Sequence, residues 1–286
     1  MQGVVLLRGC VMAAWERTGR GTSDRPDLTV VESWCIHPQI GCAMTKTASS
    51  VQVEITRKLV RVRLSRPDRY NVLDTATLTQ LAAALAPASR RPVPLLLEAD
   101  GEIFSVGSDI TEMAKFSSTD ARAYSRLGQQ VVTLLESWPG VTVAKLTGYA
   151  LGTGLELALG CDVLVGVTDL RVGLPGLAWA MVPCLGGLRR LAVRLSKDLC
   201  SELFLGGEVL DARQALEAGL LDRISDDHVE KFASAMGEFP AGAVAAIRAV
   251  RLERQGRIDD RAEAELFAQP FASGECQKRL KKLLAG

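Results

Sequence analysis

An alternating α/β fold is predicted by three features of this chain of 286 residues. Short apolar runs of strand length, at Val51–Ile55, Leu59–Leu64, Pro94–Glu98 and Val141–Leu146, recur between stretches with helical spacing. Turn-forming clusters separate them: Arg66-Pro-Asp-Arg-Tyr-Asn71, Pro92 with Pro94, and Pro139-Gly140. No short-period repeat, low-complexity tract or linker divides the chain, which is long enough to bury a sizeable core.

Residues 1–43 look unlike the rest. The run Val4–Trp15 is broken by Arg8, a poor match to a signal peptide. Glu16, Asp24, Asp27 and Glu32 make the segment too acidic for a transit peptide. A disordered extension or an upstream mis-start is the expectation for 1–43, with Met44 reading like an ordinary start. Val51–Ile55 and Leu59–Leu64 alternate apolar and polar residues as hairpin strands do. Asp74 or Thr75 can cap a helix through Leu78, Leu81 and Leu85, ended by Pro92 and Pro94. The loop Phe104–Asp109 then feeds a helix at Ile110, where Asp109 and Glu112 resemble a capping box. A longer helix spans about Asp120 to Trp138. A core of 44–228 and a helical, oligomer-forming tail of 229–286 complete the expected organisation.

Composition excludes several function classes. Lys and Arg number 34 against 33 Asp and Glu, so no bulk positive field points to nucleic acid. A hydrophobic content of 48% is ordinary for a globular chain, and every apolar run falls well short of a membrane span. The 7 cysteines are dispersed without metal-ligand spacing, which reads as reduced thiols in a cytoplasmic protein and offers no metal site.

The stretch Lys145–Asp162 carries the densest chemistry. An apolar strand passes through Gly148, Gly152 and Gly154 into Leu155-Glu-Leu-Ala-Leu159, good helix formers with an acid in the first turn. Free N–H groups in such a first turn favour negative charge. Three readings are open at this point: a tight turn before a core helix, a dinucleotide fingerprint lacking its third glycine (Leu157 stands there), or an oxyanion site beside a carboxylate. A Ser-His-Asp hydrolase is disfavoured, since the 2 histidines, His37 and His228, follow no nucleophile loop. His228, next to Asp226 and Asp227, reads as a solvated helix-cap residue.

Leu64-Ser-Arg-Pro-Asp-Arg-Tyr-Asn71, Phe104-Ser-Val-Gly-Ser-Asp-Ile110 and Gly148-Tyr-Ala-Leu-Gly-Thr-Gly-Leu-Glu-Leu-Ala158, in that order, resemble the enoyl-CoA hydratase/isomerase (crotonase) family. Leu185-Gly-Gly-Leu-Arg-Arg-Leu191, Gly206–Ala212 and Ala215–Asp222 continue the match. The resemblance implies a crotonase-like spiral of ββα units with a C-terminal helical segment, a homotrimer or dimer of trimers, acting on acyl-CoA thioesters. No separate cofactor is implied, coenzyme A being part of the substrate. It places the two backbone donors of an oxyanion hole at Ser108 and Thr153, with Thr153 where glycine is commoner, and the first family glutamate at Glu156. Arg69, Tyr70, Asp109, Ile110 and Gly152 fall at substrate- or CoA-binding places; Arg66 lies in the same loop as Arg69. Phe267, Phe271, Lys278, Arg279, Lys281 and Lys282 are candidates to cover a neighbouring subunit's CoA, and Trp179 and Met181 to floor the acyl pocket.

The second family glutamate falls at Gly176, and no Asp or Glu occurs between Arg171 and Lys197. A routine double-bond isomerase is thereby disfavoured. Hydration, or a related addition or elimination, with Glu156 as the single base is the favoured function. An acyl-CoA-binding subunit without turnover, or a decarboxylase or thioesterase, is the alternative. The apolar positions of the helix at 185–195 and of the tail are expected to be buried between subunits.

Overall fold

The computed structural model of the chain describes residues 49–88, 92–253, 260–272 and 274–285. The extension expected at 1–43, the start at Met44 and His37 lie outside the described residues.

Strands β1 (Val51–Ile55) and β2 (Val60–Leu64) form the expected antiparallel hairpin, with Val51 opposite Leu64 and Ile55 opposite Val60. Helix α1 (Thr75–Ala88) buries Leu78, Leu81 and Leu85 at i, i+3 and i+7, then returns the chain to β3 (Leu95–Ala99), parallel to β2. Asp74 is its cap, its carboxylate accepting from the Thr77 N–H at 2.7 Å. The helix is described to Ala88 and carries Pro87 within it; residues 89–91, just before the prolines expected to end it, lie outside the described residues.

Helix α2 (Ile110–Met113) is capped by Asp109, which accepts from the Thr111 and Glu112 N–H groups. The capping box expected there does not close, because the Glu112 carboxylate accepts instead from the Thr75 N–H at 3.0 Å. The box belongs to the next helix, α3 (Ser118–Glu136), where Ser117 and Asp120 cap each other's N–H groups.

Strand β4 (Thr142–Leu146) joins the large sheet, whereas β5 (Tyr149–Leu151) leaves it for a second sheet. A short helix, α4 (Thr153–Ala158), leads back to β6 (Val163–Gly166) in the large sheet, and β7 (Arg171–Gly173) again joins the small one. This repeated departure and return winds the chain between two layers. Helices α5 (Gly187–Arg194) and α6 (Lys197–Ser201) and a π-helical turn at Glu202–Gly206 precede β8 (Val209–Asp211), α7 (Ala212–Glu217) and β9 (Arg223–Ile224). The large sheet runs β1-β2-β3-β4-β6-β9, parallel beyond the hairpin, and the small one β5-β7-β8. Leu95, Leu96 and Leu97 are buried on both faces of β3, as central parallel strands require.

The tail forms α8 (Val229–Ala235), α9 (Ala241–Glu253), α10 (Asp260–Ala272) and α11 (Glu275–Ala285). His228 occupies the N-cap position of α8 at φ 62°, without a side-chain capping bond. Two expectations about the tail and α5 are corrected. Phe267 and Phe271 do not project toward a neighbour: they pack 5.2 Å apart in one aromatic cluster with Phe116 and Tyr124 of the same chain. Leu185, Leu191 and Leu195 likewise belong to the chain's own core. An aromatic pair spaced i, i+4 on a helix looks the same in sequence whichever core receives it. Among the described residues no helix is long and apolar enough to cross a membrane.

Candidate active site

Two loops meet to build the site. Gly107, at φ +98°, lies so close to the second loop that a Cβ there would sit 2.8 Å from the Leu151 carbonyl oxygen. Gly152 turns the chain from β5 into α4 at φ 53° and ψ −128°, a conformation that side chains resist. Ser108 and Thr153 thus face each other, their hydroxyl oxygens 3.0 Å apart. Thr153 is the first residue of α4, where an N–H has no intrahelical acceptor. Its Cβ is accommodated without strain, for Thr153 is not among the residues at positive φ.

The hydroxyls of Ser108 and Thr153 have a fixed direction. Tyr124 has a single proton, and its oxygen lies 2.7 Å from the Leu73 carbonyl, which can only accept. The 3.0 Å contact between Tyr124 and Ser108 must then be donated by Ser108, and the Ser108–Thr153 contact by Thr153. Burial pushes the Tyr124 phenol well above its usual range, so it keeps that proton.

Glu156 lies one helical turn beyond Thr153, 1% exposed. Its carboxylate accepts three backbone N–H bonds from the loop before α5: from Cys184 at 3.1 Å, Leu185 at 2.7 Å and Gly187 at 2.9 Å. Gly187 has no room for a side chain, since a Cβ there would meet the Glu156 carboxylate at 2.7 Å. Burial raises the Glu156 carboxyl to about 7, against the three N–H donors and the nearby Arg190, which pull it down. Between an unfolded value near 4.5 and the folded value of about 7 the folded chain holds more protons, so this group's contribution to stability is lost as pH rises through that window.

Glu156, Ser108, Thr153, Gly152, Ile110 and Gly176 line one cavity of about 190 Å³. Among the described residues, Glu156 is the only carboxylate in its wall. Trp179, Met181, Phe204, Leu205 and Phe267 make the remaining surface strongly apolar. Gly176 sits at the start of a 3-10 turn (Pro175–Trp179), and a Cβ built there would meet Met181 atoms only at 3.4 Å and beyond. Arg69, Tyr70 and Asp109 do not line the cavity. Arg69 donates to the Asp109 carboxylate at 2.6 Å, which ties the turn at 66–71 to the cap of α2. Arg66 is paired with Asp74. Arg279 reaches the Ala178 carbonyl at 3.4 Å, while Lys278, Lys281 and Lys282 are exposed.

What sequence reasoning missed is the support of Glu156. Arg190, 2% exposed, donates to both oxygens of Glu136 at 2.9 and 2.7 Å and to the Leu185 carbonyl at 2.9 Å. The segment 185–191 was legible as a motif, and its Gly-Gly pair preceding a helix with an arginine three residues on was the available signal. Nothing local to it announces a partner on α3.

The family model for enoyl-CoA hydratase/isomerase matches residues 54–281. A crotonyl-CoA hydratase of Syntrophomonas wolfei is 28% identical over 246 residues, covering 82% of this chain and 95% of that protein. A probable enoyl-CoA hydratase, EchA17, of Mycobacterium bovis is 32% identical over 229 residues, covering 76% of this chain and 87% of that protein. Among solved structures, an enoyl-CoA hydratase from Bacillus halodurans superposes with a TM-score of 0.73 at 23% identity, covering 82% of this chain and 99% of that one, which carries the fold. With most of its length matched by the family model, and with its two-layer winding shared with a solved member, the chain belongs to the enoyl-CoA hydratase/isomerase family.

Proposed function

We propose that the protein adds water across the double bond of an enoyl-CoA thioester, with Glu156 as its single acid–base residue. The observation that carries this reading is one cavity lined by a buried carboxylate, Glu156, and by Ser108 and Thr153, under an otherwise apolar wall. The thioester oxygen is to accept from the Ser108 and Thr153 N–H groups. Water then attacks Cβ as its proton passes to Glu156, and the electron pair moves onto the thioester oxygen as an enolate. The same proton returns to Cα, leaving a 3-hydroxyacyl thioester and an ionised Glu156. Preorganised donors aimed at such an oxyanion are worth several kcal/mol.

A base must be ionised to act. With Glu156 near 7, kcat/KM for crotonyl-CoA should rise with pH through about 7 and level off above it. A profile flat across that range would remove Glu156 as the base. The absence of a carboxylate at Gly176 favours a second reading, a binding subunit or a decarboxylase or thioesterase, which lean on oxyanion stabilisation alone. Turnover of crotonyl-CoA against longer enoyl-CoA and malonyl-type thioesters separates the two.

The CoA part would lie outside the cavity, toward the turn at 66–71 and the rim near Arg279. Trimers or dimers of trimers are the assembly we expect. Leu205, Phe239 and Ile247 are 72%, 55% and 74% exposed in the single chain, apolar surface that association would cover. Light scattering should therefore give a mass several times that of one chain; a concentration-independent monomer would contradict it.

A further inference from the structure

We infer that Ser125 and Gln129 are positioning residues that act on Glu156 through one peptide plane, that of Cys184 and Leu185. This rests on the reading of Glu156 as the site's acid–base group. The carbonyl of Cys184 and the N–H of Leu185 belong to the same peptide group. On its carbonyl side the plane accepts from the Ser125 hydroxyl at 2.6 Å and from the Gln129 amide at 3.1 Å. On its N–H side it donates the shortest of the three bonds to Glu156, at 2.7 Å. The Gln129 amide also donates to the Ser125 oxygen at 3.1 Å, so both α3 side chains are oriented by each other.

The face of α3 is shaped for this contact. Ser125, Gly128 and Gln129 stand at i, i+3 and i+4, one stripe of the helix. Ser125 is fully buried and Gln129 is 5% exposed. Between them Gly128 admits the loop, because a Cβ there would overlap the Leu185 side chain at 2.5 Å. Hydrogen bonds in series polarise one another, so donors on the carbonyl strengthen the N–H on the far side of the same peptide. That N–H stabilises the ionised carboxylate and not the protonated acid, which must turn a proton or a weaker acceptor toward it.

The other groups around Glu156 act differently. Arg190, paired with Glu136 and with Arg189 also near that carboxylate, favours ionisation of Glu156 by its charge and fixes the next carbonyl, that of Leu185. Among the described residues, Cys184 and Tyr124 are further titratable side chains near the loop; both are buried. Ser125 and Gln129 are uncharged, so any effect they have on Glu156 must travel through the peptide.

The test is a titration of the Glu156 carboxyl by infrared difference spectroscopy, with the band assigned by its loss in Glu156→Gln. Ser125→Ala should move the midpoint upward by on the order of half a pH unit, and Ser125→Ala with Gln129→Leu further. Ser125→Cys, a weaker donor, should fall between wild type and Ser125→Ala. An unmoved or lowered midpoint in Ser125→Ala or in Gln129→Leu alone, with melting near that of wild type, overturns the proposal. Two single variants keep it testable if one of them folds poorly. The measurement needs no turnover. If the carboxyl moves but the pH dependence of crotonyl-CoA hydration does not follow it, the assignment of Glu156 as base fails while the coupling through the peptide stands.

Discussion

Replacing Glu156 by Gln is expected to lower crotonyl-CoA hydration by about 10²–10⁴-fold, the contribution typical of a positioned acid–base group. The substitution is not sterically demanding, but it is electrically mismatched. Glutamate offers two acceptor oxygens to three N–H donors. A glutamine keeps one acceptor and turns its NH2 toward either Cys184 or the Leu185 and Gly187 pair, leaving at least one buried donor unpaired. That should cost about 1–3 kcal/mol, most visibly at low pH, where wild type still holds the stability that Glu156 loses as pH rises toward about 7. Acyl-CoA affinity should change little, because the contacts proposed for the thioester oxygen are main-chain. Rates and isothermal binding measured on the same variant separate the two effects. Unchanged turnover would remove Glu156 from the mechanism.

Gly176→Glu is expected to raise hydration, by about 10²-fold if the new carboxyl reaches the water. The position lies in the wall of the same cavity as Glu156. Its backbone is not at positive φ, and a Cβ would make ordinary contacts with Met181 at 3.4 and 3.5 Å. The strain that would otherwise hide a gain is therefore absent. The cost lies in desolvation, since the new acid enters an apolar wall and is held partly neutral there. A neutral acid beside an ionised Glu156 is the pairing that lets one group take a proton while the other supplies one. Steady-state rates across pH check this: the gain should be largest where Glu156 is ionised and the new acid is not. A stable variant with no gain at any pH would show that the water does not lie between the two positions.

The glycines and Glu156 were legible from the sequence, for physical reasons. A strand, glycines and an acid in a first helical turn leave few alternatives for the local backbone, although α4 begins at Thr153, two residues before Leu155, and takes Gly154 inside the helix. Asp109 was read correctly as a cap, yet its supposed partner Glu112 bonds to Thr75, a residue 37 positions earlier. The same limit applies to Arg69. A basic residue in a turn looks free to meet phosphate until Asp109 is folded beside it. The cradle of Glu156 was legible only as a Gly-Gly motif before a helix, because its donors are main-chain N–H groups, which no sequence distinguishes, and the α3 side chains behind them bond to the Cys184 carbonyl. The apolar stripe of α5 misled because burial against the core and burial against a neighbour follow one periodicity.

Oxygen-18-labelled water tests hydration through Glu156 most directly. Wild type incubated with crotonyl-CoA should place one labelled oxygen at C3 of a 3-hydroxybutyryl thioester, and Glu156→Gln should form that product slowly or not at all. Tight binding of crotonyl-CoA without labelled product from wild type, or equal labelling by the variant, would contradict it.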